Sequence, residues 1–253
     1  MIRGAIFDLG STLIRFEGNW SEVVEASFEA LAESVAQSGV PIEVEDLILA
    51  FRDDLQAAHR ARDQDHIERP TWEVLRETLA GLGFPETSMG VLGSAVEAMY
   101  RVSERKWALM PGVHEVLKPL SKAGCRLGMI SNAGDEANVH RLIDQSQLGP
   151  YFEPVLISAA EGIRKPDPRL FETVLRAWEL PPQQVCMVGD NLGADILGAQ
   201  KCGLYTIWLT SKAEAPENEA LQGSVIPDAV AETLTEAGKI IFQRLAPKES
   251  DQA

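Results

Sequence analysis

The spacing of apolar residues changes character twice along the chain. Residues 4–9 form a short, nearly unbroken apolar run, the pattern of a strand covered on both faces. From residue 19 to about 107 the pattern becomes helical. Asn19 followed by Glu22 predicts a helix start, and Val23, Val24, Ala26, Ala30, Leu31 and Val35 follow at helical spacing. Further helices are expected over 44–62, 71–80 and 89–107, separated by Gly39-Val40-Pro41, Arg69-Pro70 and Gly83-Phe84-Pro85. This block shows no strand pattern.

After Met110-Pro111-Gly112, strands and helices alternate. Helices are expected over 113–123, 137–145, 168–178 and 194–202, and strands over 126–130, 155–157, 185–188 and 206–209. Residues 211–223 read as a polar loop, and 229–245 as a closing helix after Val225-Ile226-Pro227-Asp228. Such alternation predicts an α/β fold, a mostly parallel sheet with helices on both faces. The expected organisation is a Rossmann-like parallel-sheet core of residues 1–15 and 108–245, an all-helical insert over 16–107, and a frayed tail over 246–253.

Composition narrows the function classes. At 253 residues the chain can bury a full core, and 45% hydrophobic with 24% charged residues is ordinary for a globular protein. A net charge of −15 argues against a broad basic face for nucleic acid. A small anion is still compatible, because a few local cations and backbone amides suffice to bind it. No apolar stretch approaches the roughly 20 residues of a membrane span, and Asp8 interrupts the first apolar run, so no secretion signal is expected. Cys125, Cys186 and Cys202 form no close pair and read as buried thiols, which fits a reducing cytoplasm.

Four pieces of polar chemistry fall at expected strand ends, where active sites of open α/β sheets lie. Asp8 closes the first strand and is followed by the small residues Gly10-Ser11-Thr12. Ser131-Asn132 follows the strand ending at Ile130 and can offer a hydroxyl and amides to phosphate oxygens. Lys165 lies in Arg164-Lys165-Pro166-Asp167-Pro168, a cation on a loop stiffened by two prolines. Asp190 and Asp195, in Gly189-Asp190-Asn191-Leu192-Gly193-Ala194-Asp195, are paired acids suited to a hard divalent cation such as Mg²⁺. Any one of these alone is an ordinary turn or cap. Together they supply a carboxylate nucleophile, a metal site, a lysine and phosphate donors.

In this order the motifs resemble those of the haloacid dehalogenase superfamily of hydrolases. The Pro111-Gly112-Val113 segment after the insert and Gly198-Ala199…Gly203-Leu204 after the fourth motif share the resemblance. It implies that the helical insert is a first-type (C1) cap that selects substrate. It also implies that Asp8 is nucleophile and metal ligand, with Asp190 and the Gly10 carbonyl as further ligands. By the same resemblance Ser131, Asn132 and Lys165 hold the phosphate, Lys165 balances charge at Asp8, and Asp195 orients Lys165 or a metal-bound water.

Gly10 departs from the pattern of the family's phosphatases, which carry there an Asp that protonates the leaving oxygen. Help of that kind is typically worth about 10²–10⁴-fold. The family's 2-haloacid dehalogenases lack that acid too, usually carry a tyrosine there, and need no metal. Its phosphonatases use a cap lysine, whereas the insert holds only Lys106, near its end. The expectation is therefore a Mg²⁺-dependent phosphatase of small phosphorylated metabolites, working through an aspartyl-phosphate at Asp8 with reduced turnover. The alternatives are a phospho-ligand-binding protein without turnover and a 2-haloacid dehalogenase. No nucleic-acid or membrane partner is expected, and both a monomer and a homodimer are compatible. His59 and His66 lie near Arg60, Arg62 and Arg69; a solvated helix face is the simpler reading of that stretch. The alternative lays it over the site, with a histidine as replacement proton donor and an arginine on the substrate's far anionic group.

Overall fold

The computed structural model describes residues 1–211 and 216–246. The tail expected over 246–253 therefore lies outside the described residues from position 247 onward. The chain runs β1 (Gly4–Phe7), β2 (Ile14–Phe16), α1 (Trp20–Gln37), α2 (Val44–Asp65), α3 (Thr71–Gly81), α4 (Met89–Glu104) and β3 (Trp107–Leu109). It continues with α5 (Val113–Lys122), β4 (Arg126–Ser131), α6 (Glu136–Gln145), β5 (Val155–Ile157), α7 (Ser158–Glu161) and α8 (Pro168–Trp178). Then come β6 (Val185–Gly189), a π-helical turn (Leu192–Leu197), α9 (Gly198–Lys201), β7 (Tyr205–Leu209), α10 (Pro216–Leu221), β8 (Ala229–Ala231) and α11 (Leu234–Arg244).

Six strands form one sheet in the order β5-β4-β1-β6-β7-β8, every pair parallel. The period of two sorts the central strands onto two cores. Ala5, Phe7, Leu127, Met129, Cys186 and Val188 face one side, packed by α5, α6 and α11 residues such as Leu117, Leu142 and Ile241. Ile6, Ile130, Val185 and Met187 face the other, against Leu170, Phe171 and Val174 of α8. Burial on both faces is why the strands read as continuous apolar runs.

The helices α1–α4 build a separate apolar cluster around Phe28, Leu31, Leu47, Phe51, Leu75, Leu79 and Leu92. Asn19 caps α1 through its side-chain oxygen, which accepts from the Ser21 and Glu22 amides. Beside the Thr71 N–H to Gly134 O bond at 2.8 Å and the Glu104–Arg141 ion pair, two links tie this block to the core. β2 and β3 pair antiparallel, Phe16 opposite Trp107, and the rings of Trp20, Phe16 and Trp107 stack edge to face. At the second link Ile67 bridges Ile163, Glu68 N–H donates to Gly162 O at 3.1 Å, and Arg164 N–H donates to His66 O at 3.0 Å. The Glu68 carboxylate is buried there, accepting from Arg62 at 3.1 Å and from Ser158 Oγ at 2.9 Å.

Four expectations need correction. The helix expected over 89–107 stops at Glu104, and Trp107–Leu109 is a strand; three-residue strands carry too little periodicity to register. Residues 229–231 pair with β7 as β8 instead of opening the last helix, which starts at Leu234 behind a Thr233 cap whose Oγ1 accepts from Glu236 N–H. The Thr233-Leu-Thr-Glu236 spacing was the available signal for that start. Within the expected loop over 211–223, Pro216–Leu221 is helical, while 212–215 lie outside the described residues. The helix expected over 194–202 begins earlier, as a π-helical turn.

Removing the Glu68 carboxylate would leave Arg62 and Arg164 facing each other with only the exposed Asp63 as counter-charge. Breaking a buried pair in this way costs about 3–5 kcal/mol. Glu68→Ala is expected to lower Tm by roughly 10 °C, and an unchanged thermal unfolding midpoint would show that this docking contact contributes nothing.

Candidate active site

The strand order places the site. From β1 the chain reaches β4 on one side and β6 on the other, so a crevice opens at the carboxyl end of β1. Asp8 follows β1 directly, and its backbone N–H donates to Val188 O on β6 at 3.0 Å. Ser131 is the last residue of β4, and Asp190 follows β6. The segment from α7 to α8 brings Lys165 to the same crevice.

Lys165 is the centre of this arrangement. Its Nζ donates to Asp8 Oδ1 at 2.7 Å and to Asp195 Oδ1 at 2.6 Å, and the residue is 2% exposed. Burial works against the ammonium charge, but Asp195 and Asp8 outweigh it and push the lysine pKa up. Two of its three protons are thereby placed, and one donor remains. The lysine backbone is fixed as firmly: Lys165 N–H donates to Asn132 Oδ1 at 2.9 Å, and Asn132 Nδ2 donates to Lys165 O at 3.0 Å. The Asn132 carboxamide is thus taken up by the lysine loop. What Asn132 can still offer a phosphate is its backbone N–H, beside the Ser131 hydroxyl.

Carboxylate oxygens of Asp8, Asp190 and Asp195 lie within 4.8 Å of one another. Burial first, then the neighbouring carboxylates of Asp8 and Asp195, raise the pKa of Asp190. Burial likewise raises that of Asp195. Asp195 has both oxygens engaged, Oδ1 by Lys165 and Oδ2 by the Asn191 amide at 3.0 Å. A Cβ on Gly189 would overlap the Asp195 carboxyl, so only glycine lets that carboxyl reach the lysine. Asp190 is held differently. Its carbonyl accepts from Trp208 Nε1 at 2.9 Å and Asn218 Nδ2 at 3.0 Å, while Thr12 Oγ1 lies 3.5 Å from its Oδ1.

Asp8, Gly10, Ser131, Asn132, Lys165, Asp190 and Asp195 all line one cavity of about 330 Å³. Gly10 is not among the positive-φ residues, and a Cβ built on it meets only Trp107, at 3.9 Å. The position could therefore carry a side chain without strain. A second cavity of about 500 Å³ lies beneath α1, α2 and α4 and shares Tyr100, Asn132, Ala133 and Gly134 with the first. Tyr100 hydroxyl bonds Thr71 Oγ1 at 2.8 Å, and burial pushes its pKa up to about 12.

His59, Arg62, Arg69 and Trp20 line the second cavity, whereas His66 lines neither. Burial, with the charges of Arg62 and Arg164, lowers the His59 pKa to about 4. At neutral pH the imidazole carries no proton to give to a leaving group, so this ring does not replace an acid at Gly10. His114 bonds the Tyr151 hydroxyl and His140 pairs with Glu136, both away from the cavities. Cys125 and Cys186 are buried, and burial raises their pKa, Cys125 to about 12; they are inert thiols. No helix among the described residues is long and apolar enough to cross a membrane.

Glu68, Tyr100, Ser158 and Asn218 gave no local signal. Each has a partner 25 or more positions away, as in Ser158 with Glu68 (90 apart) and Asn218 with Leu192 (26 apart).

Residues 2–203 match the model of a family described as haloacid dehalogenase-like hydrolases. The chain is 28% identical over 208 residues to a glyceraldehyde 3-phosphate phosphatase of Pyrococcus abyssi, covering 82% of this chain and 81% of that one. It is 34% identical over 149 residues to a phosphoserine phosphatase of Thermus thermophilus, covering 58% and 57%. Among solved structures, a 2-haloacid dehalogenase from Pseudomonas syringae pv. Tomato superposes with TM-score 0.67 at 25% identity, covering 97% of this chain and 100% of that one.

The lowered pKa of His59 links to stability. Between its ordinary 6.5 and about 4, the unfolded chain binds more proton at this ring than the folded protein does, so folding weakens as pH falls through that window. Urea midpoints of the wild type should thus fall, relative to His59→Gln, between pH 7 and pH 4. The half-exposed ring limits the size of the effect; parallel profiles would exclude it.

Proposed function

The chain belongs to the haloacid dehalogenase-like hydrolase family, and we propose that it is a Mg²⁺-dependent phosphatase of small phosphorylated metabolites with Asp8 as nucleophile. The observation that carries this reading is the cluster of Asp8, Asp190 and Asp195 at the switch point of the sheet, with buried Lys165 paired to Asp8 and Asp195.

The donor set fits a divalent cation. Three carboxylates, two buried and that of Asp190 partly so, face one ammonium, an excess of acidic groups among hard oxygen ligands. Asp195 already accepts hydrogen bonds at both oxygens, and the residues that would hold Mg²⁺ are Asp8, Asp190 and the Gly10 carbonyl. Bound there, the ion would supply charge neutralisation for the phosphoryl oxygens.

The chain's own groups then divide the work. Lys165 holds Asp8 Oδ1, which leaves Oδ2 to attack phosphorus while the bond to the ester oxygen breaks. The remaining Lys165 proton, Ser131 Oγ and the Asn132 N–H stabilise the equatorial oxygens. Asp195 positions the lysine. Gly10 donates no proton, so the leaving oxygen takes one from water. A second water attacks the phosphorus of the aspartyl-phosphate, which releases inorganic phosphate and restores the carboxylate.

The glyceraldehyde 3-phosphate and phosphoserine phosphatases among the relatives support a phosphate monoester as substrate. Likeness to a 2-haloacid dehalogenase raises a second reading. Metal-free attack on carbon gives Asp190, partly buried beside Asp8, nothing to do. A binding protein without turnover would not require a lysine holding one oxygen of Asp8 with the other left to attack.

A phosphatase screen with Mg²⁺ tests the assignment, with Asp8→Asn expected to lose essentially all turnover. Equal rates for the two proteins would sink it. Because Gly10 has room for a side chain, Gly10→Asp should speed hydrolysis of esters with poor leaving groups by about 10²-fold or more. Activated aryl phosphates should gain less. A uniform change, or none, would contradict the missing-acid account.

A further inference from the structure

Beside the phosphate end of the site sits a positive charge that the chemistry at Asp8 does not use. Glu68 accepts from Arg62 through Oε1, and its Oε2 lies 3.6 Å from Arg164 Nη1. Two guanidinium groups thus share one buried carboxylate, with the exposed Asp63 as the further negative charge acting on Arg164, and the buried part of the cluster keeps one excess positive charge. Arg62 Nε and Arg164 Nη1 are buried with no hydrogen-bond partner among the described residues, so the pair is short of acceptors. Both side chains still reach open space. Arg62, 24% exposed, lines the larger cavity, and Arg164, 17% exposed, lines the smaller one. The larger cavity's other arginines are matched, Arg52 by Glu25 and Arg69 by Glu77.

The excess charge adjoins the phosphate donors. Arg164 immediately precedes Lys165, and Ser158 Oγ, which donates to Glu68, also accepts from Ala133 N–H next to Asn132. The same positive field adds to burial in lowering the His59 pKa, and the pKa of Arg164 is lowered by burial and then by Arg62. Phe28, Leu55 and Met99 form an apolar wall of the larger cavity, which strengthens any ion pair made there. On a chain of net charge −15, a local cation of this kind is what lets a second anion approach.

We propose that Arg62 and Arg164 form a subsite for a carboxylate, so that the protein selects phosphate monoesters that also carry a carboxylate group. A planar carboxylate matches the guanidinium fork. The proposal rests on the phosphatase reading only in taking the Ser131 and Lys165 end as the place of the phosphoryl group.

Binding and turnover separate the two readings. Calorimetric titration of the full-length Asp8→Asn protein with Mg²⁺ would compare 2-phosphoglycolate with ethyl phosphate, and O-phosphoserine with O-phosphoethanolamine. The carboxylate-bearing member of at least one pair should bind about 10- to 100-fold tighter, with the advantage shrinking as salt rises. The ratio should fall toward one in Arg62→Gln and in Arg164→Gln, and Arg62→Lys should restore only part of it. Equal affinities in both pairs, no binding of any of the four esters, or a preference surviving in the double glutamine variant would overturn the proposal. The ratio in the arginine-intact protein decides even if the double variant fails to fold. Wild-type turnover of both members of each pair at equal kcat/KM would overturn this subsite and leave the phosphatase reading standing. Carboxylate-selective binding without turnover of any ester would do the reverse.

Discussion

A buried ammonium between two buried carboxylates is the constraint on which the rest of the site depends. Taking three ions out of water is costly unless their geometry is close and their remaining donors and acceptors are satisfied. Here both conditions are met by elements far apart in sequence: Asp8 at the end of β1, Asp195 in the π-helical turn after β6, and Lys165 before α8. Asn132 then locks the lysine backbone to the end of β4. A shift in any of these strands would separate a charge from its partner, so the register of the parallel sheet and the geometry of the site are one requirement.

The helical block has a parallel role at the other side of the crevice. Its contact with the sheet is made by backbone hydrogen bonds around Ile67 and Glu68 and by the Glu68 carboxylate, which draws Arg62 of α2 and Arg164 of the lysine loop to one point. The segment that seats the helices therefore also sets the charge beside the phosphate end. Ser158, shared between Glu68 and the Ala133 amide, links this contact to the residue after Asn132. Docking of the helical block and the polarity of the larger cavity arise from the same few side chains.

Much of this was legible in the chain. Asp8, Ser131 and Asp190 were visible because each sits at or just after the end of an apolar run, and Lys165 because two prolines mark its loop; such signals are local. The structure brings them to one cavity, and it adds to what their neighbours do: the Asn132 carboxamide serves the lysine loop, and both Asp195 oxygens accept hydrogen bonds, from Lys165 and from the Asn191 amide. Glu68 and Tyr100 were not legible. A glutamate among charged residues at the end of a helix reads as a solvated face, and nothing nearby in sequence tells that Ser158 and Arg164 will surround it. The strands Ile14–Phe16 and Trp107–Leu109 were missed because their stabilisation comes from pairing with each other across 91 residues or more.

By itself the sequence determined the alternation of strands and helices, the helical block between the first strand and the rest, and the absence of an acid at Gly10. These are local properties, set by side-chain period, turn chemistry and residue identity. Only the tertiary structure decided which charges are paired and which remain in excess. It closed Asp8 and Asp195 on one lysine, left Arg62 and Arg164 sharing one buried carboxylate, and lowered the pKa of His59 by burial and by those two arginines. The physical reason is that the energy of a charge depends on burial and on partners a few ångströms away in space. Neither quantity is written in the order of the residues.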